Sequence, residues 1–349
     1  MKSRSQIIRQ FILENIERHP GDIVAVTSAE FKLTRPAIHR HLTKLIERGL
    51  VAKVGHRRAT RYFLASEDNK SWVIPVTPEL AEDEIWEKYM QPLFKSQKEN
   101  VDAICHYGFT EMFNNVVSHS GASTVQLGFK IKDGNIILTV FDDGIGVFKK
   151  IKDYLQLDDL RESVLHLVKG KFTTDPEEHS GEGIFFTSRM FDEFAIFSRN
   201  LMFMRQNREE EDWFVESRET YEKKGTTVQL TINMNSDRTV GEIFKKYTDP
   251  ETFAFDKTRA LVQLAQMENE KYISRSQAKR LLFGLEKFKR IVLDCKQVTT
   301  VGQSFVDEVF RVFQNKHPQV KITYCNANED VDFMIRRGLE TAAINKPEL

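Results

Sequence analysis

The chain has 349 residues, 40% of them hydrophobic, and its 51 Lys/Arg balance 51 Asp/Glu to a formal charge of zero. That length exceeds one ordinary domain and suggests two or three, while a mean hydropathy of −0.43, with no apolar run near the roughly eighteen residues of a spanning helix, argues against a membrane protein. Cys105, Cys295 and Cys325 are an odd number at spacings that fit neither a disulfide framework nor a zinc site, so they read as reduced packing residues. Arg9, Glu14, Glu17 and Arg18 fall where a signal peptide needs its apolar core, so a cytoplasmic location is expected.

The zero charge conceals an asymmetry: residues 1–65 hold thirteen Lys/Arg against five Asp/Glu. Ile7, Ile8, Phe11, Ile12 and Ile16 recur at helical spacing, and a second short helix fits 23–31. Thr34 can cap a third helix with Pro36 in its first turn and Ile38, Leu42, Leu45 and Ile46 on one face. That face leaves Arg35, His39, Arg40, Thr43 and Lys44 pointing outward. VAKVGHRRATRYFL then reads as two strands around a basic turn. Three helices and a basic hairpin over residues 1–65 resemble a bacterial winged helix-turn-helix. The resemblance implies a double-stranded DNA partner, with Arg35, His39, Arg40 and Thr43 in the major groove and His56, Arg57, Arg58 and Arg61 on phosphate or in the minor groove. A solvated protein-protein module is the alternative.

Residues 66–240 form the expected second unit. Thr77 and Pro78 suit the start of a helix that Pro92 should break, and a further helix fits about 101–118. On it Glu111 and Asn115 are four residues apart and leave one face. A carboxylate there can orient and deprotonate an attacking group, and a neutral amide oxygen one turn on can bind Mg²⁺ without added repulsion. STVQLGFKI and NIILTVF read as strands joined at Asp133-Gly134, the second running into Asp142-Asp143-Gly144-Ile145-Gly146. A carboxylate at that strand end can accept from an exocyclic amino group such as adenine's, and the two glycines admit close backbone approach. A charged segment over 147–179 reads as a lid or as a surface helix pair. Gly181-Glu182-Gly183 then opens an apolar helix whose N-H groups suit phosphate, and Thr226 at the head of VQLTINM could complete the adenine end. Gly170-Lys171-Phe172-Thr173 lacks the earlier glycine and the hydroxyl after lysine of a Walker A loop. The acidic run 209–212 reads as solvated surface.

The order of these segments resembles the GHKL ATPase superfamily of gyrase, mismatch-repair ATPases, heat-shock chaperones and histidine kinases. Its N-box falls on Glu111 and Asn115, its first Gly box on Asp142, Gly144 and Gly146, and its second on Gly181 and Gly183. The resemblance implies ATP and Mg²⁺ as ligands and an α/β sandwich whose mixed sheet has helices on one face. His119 after the N-box resembles the anti-sigma-factor serine kinases.

Residues 250–349 alternate helix and strand, which indicates an α/β layer. Ser274 is a candidate helix cap. IVLDCKQVTTVGQSFVDEVFR resembles STAS-like domains, including a group of unknown function, and this implies a protein partner. Gln303 stands where sigma-factor switches of that family carry a phosphorylated serine. Adjacent Ser304 is expected to cap the following helix with Asp307 at N3.

The chain is thus expected to be multidomain: an α+β winged helix, an α/β GHKL sandwich and an α/β STAS-like domain. The function expected is an ATP-responsive DNA-binding regulator. A serine kinase of anti-sigma type and a non-catalytic ATP-bound scaffold are the alternatives, and a homodimer stays open.

Overall fold

The computed structural model describes residues 4–47, 50–54, 60–64, 69–94, 97–173, 180–208, 211–216, 224–265 and 273–344. Its architecture is mixed α and β in several domains. The first comprises α1 (Arg4–Asn15), α2 (Ile23–Phe31), α3 (Arg35–Glu47) and the antiparallel pair β1 (Val51–Val54) and β2 (Arg61–Leu64). Ile8, Ile12, Ile16, Ile38, Leu42, Leu45 and Tyr62 close a core of their own, separate from that of the rest of the chain. The helical spacing of these residues in the sequence is what places them on facing stripes.

The middle of the chain builds one seven-stranded sheet. Its strands are β3 (Asn69–Pro75), β4 (Thr124–Lys132), β5 (Asn135–Asp142), β6 (Glu193–Ser198), β7 (Leu201–Gln206), β8 (Glu211–Glu216) and β9 (Thr226–Asn233), in the order β3-β4-β5-β9-β6-β7-β8. Every pairing is antiparallel, which corrects the expected mixed sheet. Asp133 and Gly134 take positive φ of 51° and 74° in the two-residue turn joining β4 to β5, the pattern that matches strand twist in a hairpin. Along β5 burial alternates strictly, with Ile136, Leu138 and Val140 inward.

The helices of this part are α4 (Glu82–Ile85), α5 (Glu99–Asn115), α6 (Val147–Leu155), α7 (Glu162–Lys169), α8 (Gly183–Met190) and α9 (Val240–Tyr247). α5 and α8 pack closely because Gly108 has no side chain; a Cβ there would lie 2.3 Å from the Phe191 ring. Three expectations are corrected. The helix expected from Pro78 starts only at Glu82, with Thr77 to Leu80 closing a turn. The run 209–212 is not all solvated surface. The β7–β8 register sets Asp212 opposite Arg205, and the two form an ion pair at 3.1 Å with side chains only 10% and 9% exposed. The 147–173 stretch is a helix pair, but α7 is buried along its whole length rather than lying on the surface.

The C-terminal part is a parallel sheet of β10 (Lys257–Leu261), β11 (Arg290–Asp294) and β12 (Lys321–Cys325), in that order. With it pack α10 (Arg275–Leu282), α11 (Gln303–Asp307), α12 (Gln314–Lys316) and α13 (Glu329–Ile344). Ser274 caps α10 in a capping box with Gln277. Ser304 does not cap α11: the helix starts two residues earlier, with Gly302 at the N-cap and its carbonyl accepting from Phe305 and Val306, so Asp307 is left to pair with Arg275 and Arg311.

One hydrophobic core runs across residue 250. Phe185 and Phe186 of α8 stack with Phe255 at 4.4 and 5.0 Å between centroids, and Phe255 meets Phe288 at 5.1 Å. Lys169 at the end of α7 donates to the carbonyls of Arg280 and Phe283 at 3.0 and 3.2 Å, so the last turn of α10 takes a cation where its carbonyls point. Burial pulls the Lys169 ammonium down to about 7, with Glu286 and Glu162 opposing. In the unfolded chain the amine titrates near 10.4, so between about pH 7 and 10 the unfolded state binds more protons and stability rises with pH. Lys169→Met is expected to flatten that rise in denaturant titrations at stepped pH; the same slope in both proteins counts against a buried amine at this junction.

Candidate functional site

Where α5, the β5 end, α6, α7 and the start of α8 converge, a cavity of about 300 Å³ opens. Strand periodicity puts Asp142 there. It continues the inward row Ile136, Leu138, Val140, so a carboxylate is delivered to the apolar side of the sheet. Thr226 stands directly opposite it on β9 and is also buried. The Gly144 amide donates to Asp142 Oδ1 at 2.8 Å, and Val147 N donates to Thr226 Oγ1 at 3.0 Å. Burial nonetheless dominates and pushes the Asp142 carboxyl up to about 6, against the Gly144 amide and the Thr226 amide and hydroxyl that favour its anion. Asp143 points elsewhere and accepts from the Ser123 and Thr124 amides and the Thr124 hydroxyl, pinning the start of β4.

The glycines are required by close approaches. A Cβ on Gly144 would lie 2.2 Å from the Ser120 carbonyl oxygen, and one on Gly225 would lie 1.9 Å from that of Asp142, at a φ of +94°. The loop after β5 is therefore pressed against the end of α5 and the start of β9, which holds Asp142 and Thr226 in one wall.

Glu111 and Asn115 line the same cavity one helical turn apart, both half-buried. Glu111 lies against Gly183, where a Cβ would come within 2.0 Å of its Oε2. The Tyr107 hydroxyl shares a hydrogen bond with Glu111, and its burial, with the Glu111 and Glu182 charges, raises its pKa. Gly181, at a φ of +70° with the Phe172 backbone 2.5 Å from where a Cβ would stand, and Gly183 bring the α8 N-terminus to the same space. Glu111, Asn115, Asp142, Gly146, Gly181, Gly183 and Thr226 thus line one cavity, with Gly144 tied directly to Asp142.

Four further residues shape this site without carrying any of its sequence motifs. Lys150 lines the cavity and donates to the His119 carbonyl at 2.8 Å, and His119 itself lines it. Glu182, treated in the sequence only as a spacer between glycines, also lines it, and burial raises its carboxyl while Lys171 opposes. Tyr107 carries the helical signal, four residues before Glu111 on α5. Ser198 Oγ donates to the Gly225 carbonyl at 2.9 Å.

The expected metal has a sparse set of protein ligands. Among the described residues no group of three or more His, Cys, Asp or Glu is placed to hold an ion. Asn115 offers a neutral oxygen in the cavity wall.

The basic N-terminal residues are divided by the structure. Arg35, His39, Arg40, Thr43 and Lys44 are exposed together on α3, and Arg61 is exposed on β2. His39 Nδ1 is 3.4 Å from the buried Tyr62 hydroxyl, which ties the helix to the hairpin. His56, Arg57 and Arg58 lie outside the described residues. The Lys53 carbonyl on β1 accepts from Ser71 Oγ at 3.1 Å and from Gln126 Nε2, so the hairpin sits on the β3–β4 side of the large sheet.

In the C-terminal part, Asp294 at the carboxyl end of β11 is buried and held by Arg259 at 2.8 Å, Asn326 at 2.8 Å and the Lys296 amide at 3.1 Å. Gln303 and Ser304 are exposed in the first turn of α11. Residues 277–332, which hold most of α10 and all of β11, α11 and β12, match the model of a family described as a STAS-like domain of unknown function (DUF4325). The chain carries a STAS-like domain. None of the curated proteins matches the chain. The STAS-like domain supplies Arg280 and Phe283, whose carbonyls receive Lys169, so the α7 wall of the cavity and this domain are one packed body. No described helix is long and apolar enough to cross a membrane.

Proposed function

We propose that the chain is an ATP-responsive DNA-binding regulator: a winged helix, a GHKL-type ATP-binding domain and the STAS-like domain in series. The observation that carries this is the cavity in which a buried Asp142, paired with Thr226, faces the Glu111–Asn115 helix and the two glycines before α8. Asp142 would accept from the adenine amino group, the α8 amides would receive phosphate, Asn115 would hold Mg²⁺, and Glu111 would orient the attacking group. Bound metal would neutralise phosphate charge.

The two flanking contacts support regulation. The hairpin of the basic unit is bonded to Ser71 and Gln126 of the sheet whose strand β5 ends at Asp142, and the α7 wall is anchored in the STAS-like domain. A ligand that closes the cavity therefore has a mechanical route to both, and coupling of this type runs at about 1–3 kcal/mol, or 5–150-fold. We expect the affinity for double-stranded DNA to change at least about 5-fold with ATP-Mg²⁺ and to fall steeply with salt. Equal affinity with and without nucleotide, measured by fluorescence anisotropy, would sink the coupling.

A serine kinase of anti-sigma type is the second reading. His119 in the cavity wall and the exposed Ser304 favour it. Incubation with γ-labelled ATP separates the two, since a kinase leaves label on protein and a simple ATPase releases only phosphate.

A further inference from the structure

A second cavity of about 480 Å³ lies beside the first and shares Phe172, Thr173, Ser180 and Glu182 with it. Its other walls are the ends of α6 and α7, residues 169–171, and Phe283, Gly284 and Lys287 of the STAS-like domain. We propose that this cavity binds a small organic phosphate, an effector held where the ATP-binding domain and the STAS-like domain meet.

Charge is the first argument. Lys169, Lys171 and Lys287 line the space, and among the described lining residues only Glu182 carries opposite charge, while burial and the neighbouring Lys169 hold the His166 imidazole neutral. Ammonium groups are point-charge partners for phosphate. Two are fixed in place: Lys171 donates to the Lys287 carbonyl at 3.0 Å and sits 4.8 Å above the Phe288 ring, and Lys169 is tied to two α10 carbonyls. An ammonium has three donors, so these bonds position the cations without exhausting them.

Shape is the second argument. Tyr154 from α6 and Phe283 from the STAS-like domain line the cavity from its two sides and remain 52% and 58% exposed, which presents aromatic surface to a planar or apolar body. Gly284, at a φ of +80°, has no atom of the described residues within 4 Å of where a Cβ would stand. The volume falls within the range of small-molecule sites, about 300–1,000 Å³. An occupant would touch the end of α7 and the STAS-like domain at once, and would lie next to the Gly181–Gly183 end of the first cavity.

Pyridoxal 5′-phosphate serves as a probe, having a ring, a phosphate and an aldehyde that condenses with a lysine amine to an imine and water. Borohydride then reduces the imine to a stable secondary amine. Titrated into the full chain, the probe is expected to bind with one equivalent, to be displaced by inorganic phosphate, and to label Lys169, Lys171 or Lys287 on peptide mapping. Lys171→Met with Lys287→Met should weaken it at least 10-fold. A misfolded variant would lose binding too, so Glu182→Gln provides the complementary arm: removal of the one opposing charge should tighten binding several-fold. Asp142→Asn should leave probe binding unchanged, which places the site outside the first cavity and keeps the result independent of the nucleotide reading. The proposal is overturned by no binding, by label confined to other lysines, by loss of binding in Asp142→Asn, or by no tightening in Glu182→Gln.

Discussion

Asp142→Asn is expected to weaken ATP binding by about 10- to 100-fold, the worth of one hydrogen bond to a charged acceptor at about 1.5–3 kcal/mol. The amide keeps an oxygen for the Gly144 N-H but offers a donor where the base offers one too. The pH dependence distinguishes this from a packing defect. Burial pushes the Asp142 carboxyl up to about 6. Above pH 6 it is ionised and accepts from an amino group; below pH 6 it is protonated and accepts less strongly. Affinity of the parent chain should thus be level above about pH 6 and fall below it, while the asparagine variant stays flat. Stability moves the other way. The unfolded carboxyl titrates near 3.9, so the folded state binds more protons between about pH 4 and 6, and stability contributed by this residue is lost as pH rises through that window. The asparagine variant should escape that loss and melt no lower than the parent at pH 7. An affinity loss accompanied by a lower melting temperature at pH 7 would reassign Asp142 to the core.

Glu111→Gln should separate binding from turnover. The residue lies beside the Gly183 backbone with its carboxylate bonded to Tyr107, in the cavity that Asp142 also lines. A glutamine keeps the size and the hydrogen bond but cannot accept a proton. Removal of a general base costs about 10²–10⁴-fold in rate, so phosphate release or transfer should drop by that factor with ATP affinity changed less than about 3-fold, a shift below 1 kcal/mol. Measurement of both on one preparation is decisive. Full turnover in the variant would support a scaffold that uses bound nucleotide structurally, and joint loss of affinity and turnover would make Glu111 a packing or binding residue. Tyr107, which the residue pattern offered only as one more aromatic on α5, holds Glu111 from behind.

The legibility of these elements follows from how local their causes are. The apolar, β-branched run 135–141 and the Asp133-Gly134 turn before it are short-range signals, and the β4–β5 hairpin stands at those residues. The apolar stripes of α1 and α3 likewise enclose the small N-terminal core. β3 was not legible, because Asn69–Pro75 ends in proline and is paired along one side only, at the edge of the sheet. β10 is a five-residue strand held from β11, a partner 33 residues away, and its neighbours in sequence say nothing of it. Asp212 was taken for a surface charge because an acidic run looks solvated until the β7–β8 register sets Arg205 across from it.

By itself the sequence determined the local elements, the basic character of residues 1–65, and the residue types that the cavity needs at each position. Those depend on backbone preference and on the period of apolar residues, which act over a few positions. The tertiary structure alone decided that Glu111 and Asp142, 31 residues apart, line one space, that α7 is buried against the STAS-like domain rather than free over the cavity, and that Lys169 is sunk in that junction. Such facts are set by which faces meet when a shared aromatic core forms, and no short window of residues encodes that choice.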